Sequence, residues 1–446
     1  MHVDFLLKSF SENSEKKAII WKNKIFTYKW LLDAYKSWLI ELDKKSIPSG
    51  SIVVIEADFS PNAIALLLVL INKNAIIVPI TDSVKSKKDE FLLIAEAEII
   101  IKVDKKDEIN IKVVNKKSTH PFYAELKSRE NPGLVLFSSG STGKSKASVH
   151  DLTFLLKKFK VKRHTLTTIT FLLYDHIGGF NTLFYVLSNG GIIVTVQNRT
   201  PSTVLELIEE YKVELLPTSP TFLNLILLSE EYKNYNMDSL KIITYGTEPM
   251  PEITLKKFNE LFPHIKFTQT YGLSEVGILR SKSKSSDSLW VKVGGEDYQT
   301  RIVDEMLQIK SKSSMLGYLN APSPFTEDGW FKTGDYVISD GEYIKIIGRK
   351  SEIINVGGEK VYPQEVENTM MQHPLVEEVV VYSEKNPIIG NIVCAKIKLH
   401  NNSHIGNKTL EDIKSFCAKK LERYKVPLKI QLSENSFYSK RFKKKR

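Results

Sequence analysis

Short apolar runs punctuate the first part of the chain, and each is followed by a stretch of helical periodicity. Residues 52–56, Ile-Val-Val-Ile-Glu, read as a strand. Ser60-Pro61 then supplies an N-cap and a first-turn proline, which predicts a helix over 62–71. Asn74 suits the left-handed residue that ends such a helix, and 75–80 reads as the next strand. The cycle recurs with strands at 134–137, 168–173, 192–196, 213–216, 242–245 and 266–270. Strands alternating with helices predict an α/β fold of layered subdomains with mainly parallel sheets. In such sheets ligands bind beyond the carboxyl ends of the strands. Past about residue 290 the rhythm changes to short alternating segments joined by turns such as Ser339-Asp340-Gly341-Glu342. A break near Gly348-Arg349-Lys350-Ser351 precedes a final stretch with strands at 379–382 and 392–398 and a helix over 410–422. The expected division is a large domain over 1–347 and a small α+β domain over 348–446.

Composition narrows the class. The 446 residues are 42% hydrophobic, enough for a large core in two or more domains. Cys394 and Cys417 cannot make a disulfide framework, and both read as buried thiols of a reducing compartment. The longest apolar run, 63–71, falls far short of the ~20 residues of a membrane span. Met1-His2-Val3-Asp4 shows no basic region leading into an apolar one, so no signal peptide is expected and the chain reads as cytoplasmic. The formal charge is +11, but six of the 63 Lys and Arg sit in the last seven residues. Without them the balance against 52 Asp and Glu drops to +5. This tail is short and poor in aromatic residues, so no nucleic-acid partner is expected.

Candidate chemistry concentrates in loops that leave strands. Phe137-Ser138-Ser139-Gly140-Ser141-Thr142-Gly143-Lys144-Ser145-Lys146 follows the run at 134–137. Small residues let backbone N–H groups converge, hydroxyls add donors and lysines add charge, which suits a polyphosphate. Gly143-Lys144-Ser145 fits the end of a Walker A loop, but Ser138 stands where its first glycine belongs. Tyr271-Gly272-Leu273-Ser274-Glu275 offers a hydroxyl for a phosphate and a carboxylate for Mg²⁺, which takes one or two carboxylates plus phosphate oxygens. Tyr245-Gly246-Thr247-Glu248-Pro249 also follows a strand, and alone is only a turn. In Thr333-Gly334-Asp335 the carboxylate can accept both hydrogens of a diol. Gly357 and Gly358 allow another chain to approach the backbone closely.

In this order the motifs resemble those of the adenylate-forming superfamily, which comprises acyl-CoA synthetases, peptide-synthetase adenylation domains and luciferases. Ser138 to Lys146 is similar to T-S-G-S-T-G-x-P-K-G, departing at Ser138, Ser145 and Ala147. Residues 271–275 resemble Y-G-x-T-E with Ser274 for Thr, and 333–335 resemble T-G-D. Gly348-Arg349 and 353–367 look like the hinge and loop of acyl-CoA synthetases, with Ser351 at the hinge and Asn355 where many members carry Lys. The likeness runs from about Ala18 to the C-terminus and is greatest to acyl-CoA synthetases.

The resemblance implies a site. Ser138, Ser139, Gly140, Ser141, Thr142, Gly143 and Lys146 would cradle the phosphates of ATP. Gly246, Thr247 and Glu248 would wall the adenine pocket, with Tyr271 stacked on the base and Gly272 and Ser274 completing the nucleotide site. Glu275 would hold Mg²⁺, and Asp335 and Arg349 would share the ribose. Gly357 and Gly358 would flank the thiol. The family closes with P-x-x-x-x-G-K-x-x-R, whose Lys reaches the active site. Lys440 takes that place, with Ser439 for Gly and Lys443 for Arg, which makes Lys443 and Lys444 bystanders.

The implied reaction is attack of a small carboxylic acid on ATP, loss of pyrophosphate, and transfer of the acyl group to a thiol, first of all coenzyme A. The small domain would be mobile about Ser351, swinging Lys440 out and loop 355–358 in. Asp175-His176 follows the predicted strand 168–173. The resemblance puts His176 beside the carboxylate of the acid. In amino-acid-activating relatives an Asp nearby binds the amine, so Asp175 keeps open a ligase that loads an amino or hydroxy acid onto a carrier-protein thiol. Segments 174–181 and 218–225 are expected to shape the acid pocket. A P-loop NTPase, and a member that binds nucleotide without catalysis, are the other readings.

Overall fold

The computed structural model describes residues 2–114, 117–139, 144–387, 390–400, 407–438 and 444. In the strand Ile52–Glu56, Val53 and Ile55 enter one apolar cluster and Ile52 and Val54 another. Strands Ile76–Ile80 and Gly133–Ser139 divide their side chains in the same way, Ile77 and Leu134 to one cluster, Ile76 and Val135 to the other. Successive side chains of a strand point to opposite faces, so a continuous apolar run belongs in a sheet covered on both sides. These strands are parallel neighbours in a seven-stranded sheet. Its order is Gly317–Tyr318, Ser145–Asp151, Gly133–Ser139, Ile76–Ile80, Ile52–Glu56, Ile99–Val103 and Ile109–Val113, with antiparallel pairs at both ends.

A second seven-stranded sheet shares the first cluster. Its order is Lys266–Gln269, Ile242–Tyr245, Leu215–Thr218, Thr167–Ile169, Ile192–Val194, Lys17–Trp21 and Lys24–Thr27, parallel except for the last pair. Ile19 and Ile193 enter the shared cluster, while Ile20 and Val194 enter a third one. The shared cluster also holds helix Pro61–Asn72, in which every residue from 63 to 71 is buried. A helix apolar all round fits only such a place, and each Leu or Ile buried there contributes roughly 1.5–3 kcal/mol. The Ser60 hydroxyl caps it, accepting from Ala63 N at 3.3 Å, and Asn74 sits just beyond its end at φ +56°.

The change of rhythm downstream corresponds to a six-stranded antiparallel sheet. Its order is Arg280–Ser283, Val291–Gly294, Tyr343–Arg349, Phe331–Asp340, Met306–Ser311 and Tyr298–Val303. A five-stranded sheet with helices Pro363–Met370 and Asn407–Ala418 follows, around an apolar cluster of its own that spans Ile354 to Val426. The helix expected over 410–422 spans Asn407–Ala418, and a separate turn follows at Arg423–Lys425. The chain must reach extended Val426 before Pro427, and a residue preceding proline avoids the helical region. The strand expected over 168–173 occupies only Thr167–Ile169. Beyond it, helix Ile177–Ser188 presses on the backbone so closely that a Cβ on Gly179 would lie 2.0 Å from the Leu173 carbonyl oxygen. Cys394 and Cys417 are buried free thiols. No helix among the described residues is long and apolar enough to cross a membrane.

Candidate active site

A cleft of about 1410 Å³ opens beyond the carboxyl ends of the parallel strands, where Leu172, Thr218, Gly246 and Thr270 line it. The antiparallel sheet contributes Asp335 and Arg349 to the opposite wall. Glu367 and Lys444 close the cleft from the small domain.

The phosphate-loop candidate is a hairpin whose strands Gly133–Ser139 and Ser145–Asp151 pair antiparallel, Ser139 opposite Ser145. Ser138 and Lys146 line the cleft. Gly140, Ser141, Thr142, Gly143 and the side chain of Ser139 lie outside the described residues. The base of the hairpin is well held. Asn320 accepts from Ala147 N at 3.1 Å and donates to the Ser145 carbonyl at 2.8 Å. Lys87 donates to the Ser145 hydroxyl at 3.2 Å, a bond that the proline of the usual pattern would lack. His150 on the second strand is buried, and its Nε2 meets the Ser274 carbonyl at 2.5 Å. Burial pushes its pKa down to about 4, so the imidazole is neutral and Nε2–H donates. This bond ties the hairpin to the loop that carries Glu275.

Glu275 lines the cleft, and its Oε1 accepts from the Tyr318 hydroxyl at 2.7 Å. Lys146 Nζ lies 5.3 Å from the centre of the Tyr318 ring. One tyrosine thus gathers the metal candidate and a phosphate candidate. Burial and the Glu275 carboxylate raise the Tyr318 pKa, so its phenol stays protonated and donates. Gly272 and Ser274 line the cleft beside Glu275. No group of three or more His, Cys, Asp or Glu that could hold a metal occurs among the described residues. A single carboxylate nonetheless suits Mg²⁺ that arrives with phosphate oxygens.

Asp335 is fixed from two sides. Oδ1 accepts from Arg349 Nε at 2.7 Å and Oδ2 from the Tyr271 hydroxyl at 2.6 Å. Tyr271, expected to stack on adenine, lines the cleft but packs in the cluster with Val276 and Leu279, its hydroxyl held by Asp335. Gly246 is required by close approach, since a Cβ there would lie 2.6 Å from the Thr270 hydroxyl. Thr247 follows at φ +71°, and both residues line the cleft. Glu248 lines it too, its Oε1 accepting from Thr221 N at 2.7 Å in the first turn of helix Pro220–Ser229. Its Oε2 accepts from Lys444 N at 3.3 Å. Burial raises the Glu248 pKa, and these hydrogen bonds oppose the shift.

His176 caps helix Ile177–Ser188, its Nδ1 accepting from Gly178 N at 3.1 Å, and lines the cleft with Asn181 and Thr182. Asp175 is buried behind it, accepting from the Thr81 hydroxyl at 2.9 Å, and does not line the cleft. Of segments 174–181 and 218–225, the cleft takes His176, Ile177, Gly178, Asn181 and Thr218. Phe91 and Phe137, stacked with ring centres 3.8 Å apart, add an aromatic wall. Gly357 and Gly358 make an exposed turn with φ +58° and +95° and do not reach the cleft. Lys440 lies outside the described residues. Lys444, expected to be a bystander, lines the cleft, and its Nζ lies 2.9 Å from Glu367 Oε2. The carboxylate of Glu367 is buried, which draws the lysine in.

Residues 8–310 match the AMP-binding enzyme family, and 365–437 match the AMP-binding enzyme C-terminal domain. The chain belongs to the AMP-binding enzyme family. This AMP-binding enzyme is 27% identical over 285 residues to 4-coumarate–CoA ligase 1 of Arabidopsis thaliana, an overlap of 58% of this chain and 50% of that one. It is 26% identical over 333 residues to indoleacetate–CoA ligase of Aromatoleum aromaticum, covering 68% of this chain and 63% of the relative. The chain thus spans between half and two thirds of the length of these relatives. Its fold is that of the anthranilate CoA ligase AuaEII in complex with anthranoyl-AMP, with a TM-score of 0.81 at 19% identity over 97% of this chain and 93% of that one.

Several residues that build the site in this AMP-binding enzyme carry no motif signal. Tyr318, Asn320 and Lys87 act through partners distant in sequence. His150 had one faint signal, a lone histidine in the strand after the phosphate loop, but its partner lies 124 residues away.

Proposed function

We propose that this AMP-binding enzyme activates a carboxylic acid with ATP as an acyl-adenylate, releases pyrophosphate, and passes the acyl group to the thiol of coenzyme A. The observation that carries this reading is that the phosphate hairpin, Glu275 and the Asp335–Arg349 pair open onto one cleft. Asp335 and Arg349 would hold the ribose, and Gly246 to Glu248 would wall the base. The acid's carboxylate would lie near His176 and attack the α-phosphate, with the pyrophosphate held by Thr142 and Lys146. Negative charge grows on the phosphoryl oxygens, and preorganised donors stabilise it most when water is excluded. Lys440 would be one such donor. Glu275 would hold Mg²⁺, which when bound neutralises phosphate charge. The cleft includes tail residue Lys444 but not the turn at Gly357 and Gly358, an arrangement suited to the first half-reaction. A hinge at Ser351, between domains 1–347 and 348–446, would bring that turn to the thiol in the second.

The stacked Phe91–Phe137 wall and the aromatic acids named for its relatives make acids that bear an aromatic ring the first substrates to try. The position of Asp175 behind the cleft removes the main support for an amine-bearing acid and carrier-protein loading. Two buried free thiols fit a reducing, cytoplasmic setting. Acid-dependent ATP–pyrophosphate exchange over a panel of aryl, arylalkyl and fatty acids tests the reading. Exchange with at least one acid is expected, and silence across the panel with nucleotide still bound would mark a binding protein instead.

A further inference from the structure

Residues 315–320 run along the second strand of the phosphate hairpin and are bonded to it repeatedly. Leu316 N donates to the Val149 carbonyl at 2.7 Å and Leu319 N to the Ala147 carbonyl at 2.9 Å. Between them, strand Gly317–Tyr318 pairs antiparallel with Ser145–Asp151, Tyr318 opposite Ser148. The fit is close, since a Cβ on Gly317 would lie 2.5 Å from the Phe122 ring. Asn320 ends the segment with its bonds to Ala147 and Ser145. The same segment holds Glu275 by both backbone and side chain. Met315 N donates to the Glu275 carbonyl at 2.7 Å, and the Tyr318 hydroxyl donates to Glu275 Oε1 at 2.7 Å. Lys146 stands two residues before Ser148, so it shares a face of the hairpin with Tyr318 as a diagonal neighbour. Its Nζ lies 5.3 Å from the centre of the Tyr318 ring.

We propose that Tyr318 is a positioning residue for the metal–nucleotide complex: its hydroxyl aims the Glu275 carboxylate and its ring seats Lys146, so that both meet one Mg²⁺-bound triphosphate. The proposal rests on the function proposed above. Mg²⁺ demands near-ideal octahedral geometry and takes few carboxylates, so a carboxylate that serves it must arrive already oriented. A phenol bonded to Oε1 fixes the rotation of the carboxylate and leaves Oε2 for the metal. Partners of this kind, one bond removed from a metal, govern its affinity nearly as much as the ligands do. The ring acts separately, its negative face attracting the ammonium group of Lys146. The backbone bonds of 315–320 make the two roles one device. They carry Tyr318 on the hairpin that bears Lys146, and the bond from Met315 ties that hairpin to the loop that bears Glu275. The spacing between carboxylate and lysine is therefore set before nucleotide enters, and little side-chain freedom is left to lose on binding.

The test uses the full chain and reads binding rather than turnover. The affinity for α,β-methylene-ATP, which cannot be cleaved between its α- and β-phosphates, is measured by titration calorimetry with and without Mg²⁺. Tyr318→Phe keeps the ring and removes the hydroxyl. It should weaken binding by roughly 10-fold or more with Mg²⁺ and leave metal-free binding near wild type. Tyr318→Leu removes hydroxyl and ring together, and it should weaken metal-free binding as well, because Lys146 loses its seat. With Mg²⁺, the double variant Glu275→Gln/Tyr318→Phe should bind no more weakly than Glu275→Gln, because the two residues act through one bond. The proposal is overturned if Tyr318→Phe binds the Mg²⁺ complex as tightly as wild type. It is also overturned if Tyr318→Phe weakens binding equally with and without Mg²⁺, since the hydroxyl would then support the cleft in general. Metal-free binding as tight in Tyr318→Leu as in Tyr318→Phe would overturn the role of the ring. A wild type that binds the analogue but gains nothing from Mg²⁺ would overturn the metal role of Glu275 and the proposal with it. A wild type that binds no analogue at all would instead overturn the functional reading, on which the proposal stands.

Discussion

Glu275 enters the cleft with one oxygen already accepting from Tyr318, which sets the direction of the other. If this carboxylate holds Mg²⁺, Glu275→Ala should lower Mg²⁺-dependent exchange by on the order of 10–100-fold or more, with an unchanged circular dichroism spectrum. Wild-type exchange in that variant would remove Glu275 from the metal role. His150 makes a different kind of prediction. Its pKa is about 4 in the fold, against ~6.5 for a free histidine. Between those values the unfolded chain binds a proton that the buried imidazole refuses, so stability is full above about pH 6.5 and falls as pH drops toward 4. The loss has an order-of-magnitude ceiling of ~3 kcal/mol. The urea midpoint should therefore fall between pH 7 and pH 5, and fall less in His150→Gln. Equal falls in both proteins would mean that other groups carry the acid sensitivity. Glu275, Asp335 and Arg349 were legible in the sequence because local neighbours mark them. Tyr318 and Glu367 were not, since each gains its task only from a partner brought close by folding.

Among the elements, the hairpin of Gly133–Ser139 and Ser145–Asp151 carries the proposed phosphate site. Lys146→Met should weaken use of ATP more than use of a preformed acyl-adenylate, because only the first carries β- and γ-phosphates. One charge-assisted hydrogen bond lost should cost about 1.5–3 kcal/mol in kcat/KM for ATP. Equal loss with both substrates would point to a distorted hairpin rather than a lost phosphate contact. Helix Pro61–Asn72 could be read from the sequence because cap, proline and apolar run all lie within it. The strand expected over 168–173 was overextended for the opposite reason. Its apolar residues continue past Ile169, but the pressure of helix Ile177–Ser188 on Leu173 turns the backbone toward the cleft. Periodicity reports that a residue is buried and leaves open which neighbour buries it.

At the scale of the whole molecule, two-sided burial of the strands fixes two stacked sheets, and their shared carboxyl ends fix the cleft. That much follows from runs such as 52–56 and 242–245. The antiparallel sheet over 280–349 was visible only as a change of rhythm, because strands such as Arg280–Ser283, exposed on alternate positions, carry little apolar signal. The placement of the small domain, with Lys444 at the cleft and Gly357 away from it, depends on contacts between residues as distant as Glu248 and Lys444. The proposed reaction of this cleft joins an acid to a thiol through an adenylate. The most direct measurement is the product balance when the chain turns over ATP with an acid that supports exchange and coenzyme A. The expected result is one AMP and one pyrophosphate for each acyl-CoA formed, with no nucleotide turnover when the acid is left out. Formation of ADP and phosphate, or AMP release that does not depend on the acid, would rule this reaction out.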